Sequence, residues 1–182
     1  MIMRYDMIWT RIRNLYLDYK YRKDKIQYAR FLGVKVGERC KIHNNPRDCF
    51  GSEPWLVTIG NHVLIATGVR FITHDGGTFL FIDEYPKTNV LGPINVGNNV
   101  YIGVDVKIMP NTMIGDNVII AAGAIVTKDL ESGWVYGGIP AKKIKTVEEY
   151  KEKALLNSVE TNGMSMGEKR NHLKKIRPDW FA

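Results

Sequence analysis

The sequence predicts a parallel β-helix flanked by helical segments. Three observations predict it: an aliphatic residue at every sixth position through the middle of the chain, a Gly-Asn or Gly-Asp pair at a fixed phase of that period, and helical apolar spacing on both sides. The period is plainest at Val96, Ile102, Ile108, Ile114, Ile120 and Val126, with a second small or apolar series at Val100, Val106, Thr112, Val118, Ala124 and Leu130. A period of six suits neither one amphipathic helix nor plain strand alternation. It suits a triangular coil of three six-residue faces, in which the first aliphatic residue of each hexad points inward and stacks on its equivalents in neighbouring coils. The second series is expected near the bends, where small side chains relieve crowding.

The same phase appears earlier at Ile59, Ile65 and Phe71, beside Val63 and Val69, and in a shorter trace at Val36, Cys40 and Ile42. Corners are expected at Gly37-Glu38-Arg39, Gly60-Asn61-His62, Gly97-Asn98-Asn99 and Gly115-Asp116-Asn117, because Gly and Asn tolerate the left-handed backbone of a tight bend. Gly60 and Gly97 are 37 positions apart, one more than two coils, so an insertion over residues 75–93 is expected to interrupt the stack. The organisation is therefore a helical segment 1–31, a coil region 32–145 and a helical extension 146–182. In the first segment Met7, Ile8, Ile12, Leu15, Tyr19, Ile26 and Phe31 carry the helical spacing. In the last, Thr146 caps a helix running to about Leu156, and Ser165 with Glu168 forms a capping-box pattern.

The chain has 182 residues and a net charge of +7. Residues 1–31 hold eight Lys/Arg against three Asp, so most of the excess sits there. No nucleic-acid-binding motif accompanies it. A solvated helix face or contact with an anionic membrane surface fits the segment instead. No apolar run reaches transmembrane length and none resembles a signal peptide, so a cytoplasmic protein is expected. Cys40 and Cys49 form neither a disulfide framework nor a metal site.

The stretch Val96–Lys145 resembles the hexapeptide-repeat acyltransferases. Val96-Gly97-Asn98-Asn99-Val100-Tyr101-Ile102-Gly103 is similar to the family's turn-and-strand signature, Ile114 to Asp129 to its cofactor-binding coil, and Gly137-Gly138-Ile139-Pro140-Ala141-Lys142-Lys143-Ile144-Lys145 to its closing segment. The resemblance implies a left-handed sense for the β-helix, a homotrimer with active sites between subunits, acetyl-coenzyme A as acyl donor, no metal, and transfer to a hydroxyl or amine. It also implies site residues. His74, where the repeat gives way to the inserted loop, falls where relatives carry their catalytic histidine. Ala121 and Ala122 fall beside the pantetheine arm, Thr127 and Lys128 face the cofactor, Lys142 and Lys145 lie near its 3′-phosphate, and Gly103 lies beside the thioester end. Tyr101 stands where many relatives have tryptophan, which leaves the shape of that wall open.

The chemistry needs a base, since a hydroxyl proton does not leave unaided near neutral pH. Histidine, with an unperturbed pKa of about 6.5, suits the task. His62 reads as a corner residue, His43 as the edge of an irregular stretch at 44–56, and His172 as a surface helix residue. Asp75 is a candidate to orient His74 or to bind the acceptor, with Tyr101 on the acceptor wall. Asp83, Glu84 and Tyr85 fit either acceptor contact or a solvated loop tip. A saccharide hydroxyl is the favoured acceptor, and an amino sugar or antibiotic is the alternative. An acyl-cysteine mechanism, a zinc hydratase of the same fold and a non-catalytic scaffold are the rival readings. The hydratase would need three converging histidines.

Overall fold

The computed structural model describes residues 2–181, with side chains from residue 9 onward, so the side chains of Met7 and Ile8 lie outside the described residues. The chain divides into two compact units, 1–148 and 149–182.

The first unit opens with α1 (Ile2–Lys20) and α2 (Lys25–Leu32). The side chain of Asp24 caps α2 by accepting from Gln27 N, and Gly33 closes it in the left-handed conformation. Strands β1 (Lys35–Val36) and β2 (Lys41–Ile42) begin the coils. A short helix α3 (Pro46–Phe50) and a 3₁₀ turn (Pro54–Leu56) then stand where a third face is expected. The next coil holds β3 (Val57–Ile59), β4 (Val63–Ile65) and β5 (Arg70–Phe71). Its inserted loop carries β6 (His74–Asp75), a 3₁₀ helix (Gly76–Phe81) and β7 (Val90–Leu91). The following rounds contain β8 (Ile94–Val96), β9 (Val100–Ile102), β10 (Lys107–Ile108), β11 (Thr112–Ile114), β12 (Val118–Ile120) and β13 (Ile125–Val126). The antiparallel pair β14 (Trp134–Gly137) and β15 (Lys142–Thr146) follows.

These strands sort into three parallel sheets that the chain visits in rotation. Sheet A has the order β1-β3-β8-β11, sheet B β2-β4-β9-β12-β14, ending on antiparallel β15, and sheet C β5-β10-β13. Val100 pairs with Val118, Ile94 with Thr112 and Lys107 with Ile125, one 18-residue round apart in each sheet. Both six-residue series are buried, from Val96 at 4% exposed to Ile102, Ile108 and Ile120 at 0%. The second series is therefore core as well. In β9 and β11 it opens the strand whose last residue belongs to the first series, and the corner lies before it.

The corners show a different division of labour from the one the sequence suggested. The left-handed residue is the third of each triplet: Arg39, His62, Asn99 and Asn117 have φ of 54–57°. Gly60 and Gly97 are needed for closeness of stacking instead. A Cβ on Gly60 would lie 2.4 Å from the carbonyl oxygen of Gly97, and one on Gly97 would lie 2.4 Å from Asp116 Oδ1. The middle residues form a polar ladder. Asn61 Oδ1 accepts from Glu38 N, Asn98 Oδ1 from Asn61 N, and Asp116 Oδ1 from Asn98 N, at 2.6–2.9 Å.

The 37-residue interval is a second correction. Ile59 pairs directly with Val96 and Val63 with Val100, so the interval is one round plus the inserted loop, not two rounds. That loop leaves as a short antiparallel ribbon, with His74 opposite Leu91 and Asp75 opposite Val90.

The second unit contains most of α4 (Val147–Leu156), then α5 (Met166–Ile176) and a 3₁₀ turn (Pro178–Phe181). Ser165 and Glu168 close the expected capping box on α5. No helix among the described residues is long and apolar enough to cross a membrane.

Candidate active site

His74 sits at the corner between sheets C and A, where the coil opens into the loop. Its backbone position follows from Phe71, which is 2% exposed and buried in the core, and from Thr73, which is 1% exposed. The carbonyl of Thr73 accepts from Gly92 N at 2.9 Å, which ties the far end of the loop to its start. The imidazole points outward with 47% of the side chain exposed.

Its partner is Glu53, which lies in the irregular stretch 44–56 that the sequence offers for the acceptor side but which nothing in the sequence singles out. Glu53 Oε2 lies 2.9 Å from His74 Nδ1 and accepts from Thr73 Oγ1 at 2.7 Å. The hydroxyl of Thr73 is the strongest influence on the Glu53 carboxyl. With the His74 ring it holds that carboxyl below the usual carboxylate range, against the opposing effect of burial. An ionised carboxylate only accepts, so Nδ1 is the donor to Glu53, and in the neutral ring Nε2 is then the lone-pair nitrogen. Glu53 belongs to the segment that leads into sheet A, and that segment crosses the same corner as His74.

Asp75 does not take the orienting place. Its Oδ1 accepts from Gly77 N at 2.8 Å and caps the 3₁₀ helix of the loop. Asp83, Glu84 and Tyr85 lie at the exposed tip of that loop. The depression beside His74 is lined by Asp48, Gly51, Ser52, Arg70, Ile72 and Thr73.

The residues that the resemblance assigns to the acyl donor lie mostly along sheet C. Its outward positions are Arg70, Lys107 and Ile125, in register. Gly103, Ala121 and Ala122 share the corner at one edge, where a Cβ on Gly103 would lie 2.7 Å from Ala122 N and from Ile120 O. Lys142 pairs with Gly137 beside that corner. Thr127 and Lys128 follow β13 at the other edge, in the column that begins with Ile72 and Thr73, about 10 Å along the stack from the His74 round. Lys145 is further off, opposite Val135 at the edge of sheet B.

Tyr101 is not brought to His74 within one chain. It lies on the outer face of sheet B, between Leu64 and Ile119, in a cavity of about 340 Å³ with Arg39, Lys41 and His62 on its rim. His62 is a corner residue, as its spacing suggests, with Nδ1 2.8 Å from Asn99 Oδ1. His43 follows β2 at the corner between sheets B and C, and its N donates to Ile65 O. His43, His62 and His74 thus occupy three different corners and do not meet within one chain.

Neither cysteine is placed to act as a nucleophile beside His74. Cys49 is 0% exposed, and burial pushes its thiol up to about 12. Cys40 Sγ lies 3.1 Å from the carbonyl oxygen of Gly60, against which it is packed.

At an exposed corner of stacked three-sided coils, then, an imidazole is held by a carboxylate. The comparisons with known proteins identify the class of protein. Residues 93–128 match the family described as bacterial transferase hexapeptide (six repeats). The chain is 43% identical over 151 residues to Protein CapG of Staphylococcus aureus, covering 83% of this chain and 86% of that one. It is 37% identical over 105 residues to galactoside O-acetyltransferase of Escherichia coli K12, covering 53% of this chain and 47% of that one. Among solved structures, a maltose O-acetyltransferase from Clostridium difficile 630 superimposes with a TM-score of 0.53 at 31% identity, covering 63% of this chain and 59% of that one. The chain belongs to the hexapeptide-repeat acyltransferase family.

Proposed function

We propose that this enzyme is an acetyl-coenzyme A-dependent O-acetyltransferase that acts on a hydroxyl of a saccharide or polysaccharide precursor, with His74 as general base. The observation that carries the reading is the Glu53–His74 hydrogen bond of 2.9 Å, which leaves Nε2 free to accept a proton at an exposed corner. The acceptor class is supported by relatives named for galactoside and maltose O-acetylation.

In this reading the acceptor hydroxyl gives its proton to His74 Nε2 while its oxygen attacks the thioester carbonyl. The new carbon–oxygen bond forms as the carbon–sulfur bond breaks, and the imidazolium returns the proton to the departing thiolate. Glu53 stabilises the imidazolium between those steps. Backbone N–H groups stabilise the charge that develops on the carbonyl oxygen. Gly103, Ala121 and Ala122 let the pantetheine arm approach backbone at one edge of sheet C. Thr127 and Lys128 face it at the other edge, and Lys142 and Lys145 supply positive charge for the phosphates. The coil is left-handed and the enzyme a cytoplasmic homotrimer, so that Tyr101 of one protomer faces the His74 corner of the next.

An acceptor screen with acetyl-coenzyme A and a thiol-release readout tests this. Sugars, amino sugars and antibiotics belong in the screen, with wild type beside His74→Ala. The expected loss is about 10²–10⁴-fold. Turnover within a few-fold of wild type in the variant removes His74 from the role, and sedimentation of a monomer removes the shared site.

A further inference from the structure

The outer face of α1 carries an apolar stripe that nothing among the described residues of the first unit covers. Trp9, Ile12, Leu15, Tyr16 and Tyr19 are 67%, 50%, 69%, 60% and 65% exposed. At 100° per residue they span an arc of about 120°, and along the axis about 15 Å. The opposite face is fixed inward. Asp18 forms an ion pair with Arg47 of α3 and accepts from Tyr28 and Asn45 at 3.1 and 3.3 Å, so the helix cannot roll to hide the stripe.

Charge borders the stripe on both sides. Arg11 flanks one edge, Arg13 and Lys20 the other, and Lys23 follows the helix end. Among the described residues none of these four has a carboxylate within ion-pair distance. Arg22 lies 4.0 Å from the centroid of the Tyr19 ring, adding a cation at the end of the stripe. A solvated helix face would not place five large apolar side chains in water together. A second copy of this face would bring one strongly basic segment against another. An anionic surface with an apolar interior complements both features at once, and tryptophan and tyrosine suit its boundary.

We propose that α1 docks the protein on an anionic lipid surface, with the Trp9–Tyr19 stripe in the headgroup boundary and Arg11, Arg13, Lys20 and Lys23 against lipid charge. The proposal is independent of the catalytic reading, since none of these residues lines the depression beside His74.

The test is flotation of the full chain with vesicles of phosphatidylcholine alone and of equal parts phosphatidylcholine and phosphatidylglycerol. Binding is expected only to the second and is expected to fall in high salt. Arg11→Gln with Arg13→Gln should weaken it by about fivefold per cation removed. Trp9→Ser with Ile12→Ser should weaken it by about tenfold or more. Leu15→Ser with Tyr16→Ser serves if the first pair fails to fold, as judged by circular dichroism. Equal binding to both vesicle types, or to neither, overturns the proposal. So does a fall in molar mass by light scattering in the folded stripe variants, because the face is then a contact between protein chains.

Discussion

Replacing Glu53 with Gln keeps the shape of the side chain and removes its charge. The carboxylate accepts from both Thr73 Oγ1 at 2.7 Å and His74 Nδ1 at 2.9 Å, so an amide oxygen can retain those bonds while losing its pull on the imidazolium. A hydrogen bond to a charged partner is worth about 1.5–3 kcal/mol. The His74 side chain is 47% exposed, so solvent screens part of that. The lower half of the range, about 1.5–2 kcal/mol, corresponds to about a 10–30-fold fall in kcat. Thiol release measured against acceptor concentration should show that fall with KM nearly unchanged, because in the proposed mechanism Glu53 acts on His74 and not on the substrate. The decisive comparison is a cycle with His74→Ala. If Glu53 works only through the imidazole, Glu53→Gln should cost nothing more in the His74→Ala background. A second loss of similar size there would refute the assignment, as would a KM effect that accounts for the whole change.

Burial opposes ionisation of Asp18, but hydrogen bonds from Arg47, Tyr28 and Asn45 and the charge of Arg47 outweigh it and hold the carboxyl below its usual range. A depressed carboxyl contributes stability that is present above its unfolded pKa and lost as pH falls through the folded one. Asp18→Asn should therefore lower Tm at pH 7, by the equivalent of about 1–2 kcal/mol for a pair whose side chains are each 30% exposed, with the gap closing below about pH 4. An unchanged gap in acid would contradict the pairing. Gly60→Ala should destabilise by about 2 kcal/mol or more, because its Cβ would meet the Gly97 carbonyl oxygen at 2.4 Å. Gly123→Ala, with φ of 72° and open space, should cost only about 1 kcal/mol in urea denaturation. Cys49, whose thiol is pushed up to about 12, should resist iodoacetamide at pH 8 in the folded protein, and Cys49→Ala should retain kcat. Loss of kcat in that variant, with its fold intact, would revive an acyl-cysteine route.

The coil was legible in the sequence because its core is written locally. Each buried aliphatic residue repeats six positions on, and each hexad presents the same phase, so no knowledge of distant contacts is needed to see Val96, Ile102 and Ile108 as equivalent. His74 stands out in the sequence for a related reason, since it lies where the repeat stops. Glu53 does not. It lies 21 positions before His74, in a stretch where α3 and a 3₁₀ turn break the repeat, and nothing local distinguishes it from a solvated loop carboxylate. Corner bookkeeping offers the one signal: the residues just before Val57 must cross from sheet C to sheet A, the same corner from which His74 leaves. The exposure of the α1 stripe was hidden for the opposite reason. Helical spacing shows which residues share a face, and only the Asp18–Arg47 pair decides which face turns inward.

Two corners of the coil are built to different specifications. The corner between sheets A and B is filled by the Asn61-Asn98-Asp116 ladder and by His62 bonded to Asn99, and at the Gly60 and Gly97 stacks even a methyl group would clash. A corner packed that closely cannot change without moving its neighbours. The corner between sheets C and A is the one that the chain opens, sending the loop out at His74 and bringing in the segment that carries Glu53. His74 therefore belongs to the corner that the chain opens, yet it is anchored through Thr73, which is buried at 1% exposed and hydrogen-bonded to the same carboxylate oxygen. Thr73→Val separates the two contributions. It leaves the coil's apolar packing nearly intact and removes one of the two donors on Glu53, so the orientation of the imidazole should loosen while the coil stays folded. A several-fold fall in kcat with little change in Tm is the expected result, and a large fall in Tm with unchanged kcat would assign Thr73 to the core alone.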